Sequence, residues 1–91
     1  MKRLEIIANQ SVQDDVIDGL SRLIPELQYT LISPVHGSGL HKKKLGTVVW
    51  PEQNFILISY LEASDAEKAR DFMEGLKRRF PEEGVAFFEM G

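Results

Sequence analysis

Seven consecutive residues, Phe55-Ile56-Leu57-Ile58-Ser59-Tyr60-Leu61, contain no charge, glycine or proline. A short run rich in β-branched and aromatic residues reads as a strand. Both of its alternate sets are apolar, so neither face is suited to water and both need cover. A chain of 91 residues has little material for that. A domain of this size buries only about 60–65% of the surface its unfolded chain exposes. Whatever else the chain forms must therefore sandwich this strand or bring in other copies to do so.

The flanking segments supply the partners. Leu4-Glu5-Ile6-Ile7-Ala8 reads as a first strand, broken by Asn9-Gln10. Ser11 and Asp14 stand at capping-box spacing, and Asp14 and Asp15 suit the positive end of a helix dipole. Val16, Leu20, Leu23 and Ile24, with Val12 and Ile17 beside them, form an apolar stripe at helical spacing. Pro25 ends that helix, because the residue before a proline avoids the helical region. Gln28 to Val35 reads as a second strand, with Tyr29, Leu31, Ser33 and Val35 on one face and Thr30 and Ile32 on the other. Pro34 places it at an edge or marks its end. Leu45 to Val49 reads as a short extension, and Trp50 to Asn54 as a turn. After the Phe55 strand, Ser64 and Glu67 match the capping box of a second helix. Its inner stripe is Ala66, Ala69, Phe72, Met73, Leu76 and Phe80. Lys77, Arg78 and Arg79 complement the end of its dipole, and Pro81 stops it. Val85 to Met90 is a last strand.

The order β-α-β-β-α-β predicts an α+β, ferredoxin-like fold over residues 1–91: an antiparallel sheet with two helices on one face. Ile6, Ile56, Ile58, Phe87 and Phe88 put apolar groups on both sides of the strands. The uncovered face is expected to be buried against other copies, most simply by cyclic closure into a homo-oligomer.

Charge and composition exclude several classes. The net charge of -3 argues against general nucleic-acid binding, which rests on basic residues. There is no cysteine, hence no disulfide or thiolate chemistry. Glu5 interrupts the first apolar run, so no signal-peptide core or membrane span is expected, and the cytoplasm is the default location. Asp14, Asp15 and Asp18 read as solvent-facing helix residues. No Ser-His-Asp or Cys-His set, paired catalytic carboxylates or Walker-type loop is present, so the chain is not read as an enzyme.

One stretch stands apart. Between Glu26 and Glu52 there is no acidic residue, and Ser33 to Gly46 passes from an apolar run through Gly37 and Gly39 into Lys42-Lys43-Lys44. Glycines let a backbone approach a ligand closely, and exposed amides in such a turn can hold an anion. The lysines add positive potential. Equally, the segment reads as a hairpin loop with a solvated lysine tip. His36 and His41, the only histidines, share this loop, and imidazoles bind transition metals.

These residues resemble the PII family of signalling proteins. Met1 to Leu4 and Asp14-Asp15-Val16-Ile17-Asp18-Gly19-Leu20 look like the family's opening strand and the start of its first helix. Val35-His36-Gly37-Ser38-Gly39-Leu40-His41-Lys42 looks like the V-x-G-x-G-R-Q-K segment that enters its long T-loop. Ile56 to Leu61 followed by Asp65 is similar to its third strand and second helix. The resemblance implies a homotrimer in nitrogen-linked signal transduction. Such a trimer would bind an adenine nucleotide between subunits and regulate a membrane transporter or enzyme by contact, through the 37–53 loop. Gly37, Gly39, His41 and Lys42 are its implied ligand-binding residues. The sequence departs from the pattern: His41 replaces the family's 2-oxoglutarate-contacting glutamine; the T-loop segment is short, and Leu40 to Asn54 holds no tyrosine; Pro81-Glu82-Glu83-Gly84 replaces a G-D-G-K phosphate-binding segment; and the family's C-terminal nucleotide-binding arginines have no counterpart in this sequence. The CutA family shares the implied fold and trimer, and its tryptophan-bearing hairpin resembles the region of Trp50. That likeness implies a divalent metal, with His36 and His41 as candidate ligands.

Overall fold

A computed structural model describes residues 1–37 and 52–91. Four strands, β1 (Lys2–Asn9), β2 (Thr30–Gly37), β3 (Glu52–Leu61) and β4 (Val85–Met90), and two helices, α1 (Gln13–Leu23) and α2 (Ala63–Arg79), follow in the order βαββαβ. The sheet is antiparallel throughout, in the order β2-β3-β1-β4. This is the ferredoxin-like α+β arrangement. β3, the strand apolar on both faces, lies inside the sheet, between β2 and β1.

Alternation along the strands assigns their faces. Leu4, Ile6 and Ala8 of β1 and Phe55, Leu57, Ser59 and Leu61 of β3 are buried. They pack with Val12, Val16, Leu20 and Ile24 from the first helical segment and with Ala66, Ala69, Met73 and Leu76 from α2. Phe87, opposite Ile6, and Val85 close the same core from β4. A bidentate ion pair from Arg70 of α2 to Glu89 of β4, with Nη2 at 2.7 and 2.9 Å from the two carboxylate oxygens, pins the last strand to the helix layer. The hydrogen bonds that Arg70 donates to Glu89, and the charge of that carboxylate, raise the guanidinium pKa further.

Both helix starts differ from the capping-box expectation. A 3₁₀ turn, Gln10–Val12, precedes α1, and the Asn9 side chain accepts from the Ser11 amide at 2.9 Å. Ser11 thus receives the cap and does not provide it, although Asp14 and Asp15 do occupy the first turn of α1. At α2 the capping position is Glu62, one residue before the helix begins, so Ser64 already lies inside it. Both caps sit upstream because the strand ends leave the chain extended at Asn9 and Glu62, where helical geometry can begin. At the other end of α1, Ile24 is extended before Pro25, as the proline demands. Leu23, read as part of the stripe, is exposed; Ile17 is only partly buried.

β2 departs most from its expected pattern. It begins at Thr30, not Gln28, and reaches Gly37. Ile32 pairs with Ile56, but Val35 pairs with Asn54, so one extra residue is accommodated at Ser33-Pro34. Such a bulge reverses which side the following residues face. Leu31, opposite Leu57, therefore faces the helices, whereas Val35 faces away from them. Pro34 costs little there, because β2 is an edge strand and bulged positions do not need every ladder bond. β3 also starts earlier than expected, at Glu52, so Gly37 and residues 52–53, the two ends of the expected 37–53 loop, are strand, and residues 38–51 between them lie outside the described residues. The expected extension over Leu45 to Val49 falls outside the described residues.

The two helices meet at Gly19, where an added Cβ would overlap the Phe72 ring. Gly75, on α2, has open space at the same position. Alanine in a helix is favoured over glycine by about 1 kcal/mol, whereas overpacking costs about 1–3 kcal/mol. Gly75→Ala is therefore expected to stabilise the fold by about 0.5–1 kcal/mol, and Gly19→Ala to destabilise it by about 1 kcal/mol, in urea unfolding. Equal effects of the two substitutions would contradict the close helix contact.

Candidate functional site

The end of the sheet that carries the 38–51 loop is built from four strand ends. Gly37 pairs with Glu52, His36 with Gln53 and Val35 with Asn54. Asn54 pairs in turn with Asn9, whose amide donates to the Gly84 carbonyl at 3.1 Å. The β2 bulge is tied to the start of α1: Gln10 Nε2 donates to Ser33 Oγ at 2.7 Å, and Ser33 Oγ donates to Gln13 Oε1 at 3.1 Å. The loop root is thus held from both sides by side-chain hydrogen bonds and strand pairing.

Of the residues singled out in the sequence, Gly37 is described at the last position of β2, and His36 beside it is exposed. Gly39, His41 and Lys42, with Lys43 and Lys44, lie outside the described residues. The Pro81–Gly84 turn sits at the same end of the sheet as Gly37. It is three strand positions away, roughly 14 Å at ordinary strand spacing. Among the described residues no group of three or more His, Cys, Asp or Glu side chains is arranged to hold a metal ion.

Gly37 has a local structural reason to lack a side chain. An added Cβ would meet the Asn54 amide nitrogen. The Asn54 Oδ1 is buried and has no hydrogen-bond partner among the described residues. The sequence reading missed Asn54 because it placed that residue in a turn.

The opposite end of β2 carries a second feature the sequence reading missed. Gln28, Tyr29, Thr30, Ile58, Ser59 and Tyr60 line a depression of about 340 Å³, open to solvent. That volume lies at the small end of ligand pockets, which run to roughly 300–1,000 Å³. Its floor is fixed by buried Ser59, whose hydroxyl donates to the Gln28 carbonyl at 2.6 Å. Its walls include two tyrosines, Tyr29 and Tyr60, both well exposed. Arg3 holds Tyr60 in place: Nη1 donates to the phenol oxygen at 2.9 Å, and the guanidinium carbon lies 5.8 Å from the ring centroid. Aromatic faces beside hydrogen-bonding groups suit a planar, polar ligand such as a nucleobase.

The pocket and the loop root are at opposite ends of β2. Eight residues of strand separate them by about 23 Å. One chain therefore cannot close both around a single small ligand.

Gly37→Ala forces Asn54 to move and is expected to cost about 1–2 kcal/mol. In an Asn54→Ala background the same change is expected to cost less than about 0.5 kcal/mol, because the obstruction is gone. A double-mutant cycle by chemical denaturation measures the difference, and additivity would show that the two residues do not press on one another.

No protein-family model matches the sequence, and no curated protein is significantly similar to it. Solved structures do match over nearly the whole chain. A PII-like signalling protein from Thermus thermophilus is 19% identical with a TM-score of 0.65, over 97% of this chain and 82% of that one. CPII, a nitrogen regulatory PII-like protein from Thiomonas intermedia, was solved bound to ADP, AMP and bicarbonate. It is 19% identical with a TM-score of 0.68, over 98% of this chain and 88% of that one. Its apo form gives 17% and 0.63, over 98% and 87%. At these identities the likeness shows the fold, and that fold is the one PII-like proteins adopt.

Proposed function

We propose that this chain is a PII-like regulatory protein that assembles as a homotrimer, binds an adenine nucleotide and acts by contact on a partner protein. The observation that carries the reading is the fold match over 98% of the chain to a nitrogen regulatory PII-like protein solved with ADP and AMP. Two features of the chain itself support it. Among the described residues the sheet has helices on one face only, and its other face carries Ile32, Tyr60, Phe88 and Met90, each 44–57% exposed. Contiguous apolar surface of this kind marks an interface. The tyrosine-flanked pocket and the loop root, too far apart in one chain, would be brought together between neighbouring copies. The pocket would take the adenine, and Gly37, Gly39 and Lys42 of the adjacent copy would approach the phosphates.

The replacement of a G-D-G-K segment by Pro81-Glu82-Glu83-Gly84 bears on which nucleotide is held. Two glutamates near a phosphate chain repel it more as its charge grows. AMP and ADP are therefore preferred over ATP in this reading. The function is one of binding, with the 38–51 loop as the surface offered to a membrane transporter or enzyme in the cytoplasm. No helix among the described residues is long and apolar enough to cross a membrane.

Thermal unfolding with AMP, ADP, ATP and divalent metals tests this. A ligand at about 100 times its Kd adds roughly 2.7 kcal/mol to the native state. That is a rise of about ten degrees or more in Tm for a domain of this size. AMP or ADP is expected to give that rise, and Tyr60→Ala to remove most of it. A rise with metal alone, abolished by replacing His36 and His41 with alanine, would replace the nucleotide reading with a metal-binding one. No rise with any nucleotide would refute nucleotide binding.

A further inference from the structure

Three of the cross-strand rows on the open face lie beyond the Val35–Asn54–Asn9 row, away from Gly37 and Glu52. Ile32, Ile56, Ile7 and Ala86 form the first; Thr30, Ile58, Glu5 and Phe88 the second; Tyr60, Arg3 and Met90 the third. In these rows the only charged residues are Arg3 and Glu5. They are one pleat apart on the inner strand β1, with apolar groups on both sides. They form an ion pair with Arg3 Nη2 at 3.4 Å from Glu5 Oε2. The Tyr60 hydroxyl and ring hold the guanidinium from its other side. Both charges are therefore presented in fixed positions.

We infer that Arg3 and Glu5 determine which surfaces this sheet face accepts, selecting further copies of the same chain in one register. The inference rests on the assembly proposed above and adds the device that makes it selective. The chemistry of the face points to copies of itself. In these three rows one positive and one negative charge cancel, so this part of the face offers nothing to an anionic lipid surface or a phosphate backbone, which need an excess of basic groups. A face with one charge of each sign, set in apolar rows, is complementary to a second such face. The Arg of one copy meets the Glu of the next, and a shifted register sets charge against isoleucine or phenylalanine. An apolar face alone would associate in many registers. Arg3 and Glu5 are paired within each chain, and a register that sets two such pairs head to tail adds an intermolecular pairing, whereas a shifted one buries each ion pair without it, at a net desolvation cost.

Co-expression of the wild-type chain with a charge-reversed Arg3→Glu/Glu5→Arg chain, distinguished by mass, provides the test. Native mass spectrometry is expected to show homo-assemblies of each, with mixed assemblies depleted at least about tenfold below random mixing, the ratio that a mismatch of about 1.4 kcal/mol produces. Random mixing would overturn the inference while leaving assembly itself intact. If the reversed chain fails to fold by circular dichroism, sedimentation of Glu5→Leu and of Arg3→Met/Glu5→Leu decides instead. The single change, which strands Arg3, is expected to weaken assembly at least about tenfold, and the double change to restore it. A single variant that assembles as tightly as wild type would overturn the inference. A wild-type chain that stays monomeric at about 100 μM would remove the assembly reading and this one with it.

Discussion

The structure follows from a sheet whose faces are both apolar while the described residues supply helices for one. β3 is hydrophobic on both sides, and its place inside the sheet spreads that demand to its neighbours. On the helix side the demand is met densely: Phe55, Leu57, Ile6 and Leu4 are closed over by α1 and α2, with Gly19 letting the Phe72 ring lie between the helices. On the other side nothing within the described residues answers it. Isoleucines, Phe88 and Met90 remain at the surface, and each fully buried side chain of this size would gain about 1.5–3 kcal/mol. That unused stabilisation is what the proposed self-association would recover.

The same geometry separates what the chain can do alone from what it can do in company. The loop root at Gly37 and the tyrosine pocket lie at opposite ends of β2. The sheet is rigid across that distance, held by continuous pairing of β3 with β1 from Leu61 to Asn54. A ligand that touches both ends must therefore bridge two copies, and its binding would report on their relative position.

Much of the fold was legible in the sequence because it rests on periodicity. The two helical stripes, the order of strands and helices along the chain and the uncovered face follow from where apolar residues recur. The capping boxes at Ser11 and Ser64 were misread because the motif fixes a spacing but not which residue turns the chain; strand ends at Asn9 and Glu62 decided that. The faces of β2 after Ile32 were misread because a bulge leaves no periodic mark when proline already interrupts the run. Of the candidate site, Gly37 was visible by its residue type. Asn54, Tyr29 and Tyr60 were not, since their significance lies in the register between β2 and β3. Register is set by pairing and not by composition.

The bulge at Ser33-Pro34 gives β2 two independent phases. Thr30 to Ile32 are locked to the core by Leu31 against Leu57, whereas Val35 to Gly37 are offset by one residue and tied to the start of α1 through Ser33, Gln10 and Gln13. Removal of a single residue there would turn over the side chains that lead into the loop without disturbing the hydrophobic half of the strand. The direction in which Val35 to Gly37 present their side chains is thus set by a short polar splice and can change by a one-residue step while the scaffold beneath keeps its packing.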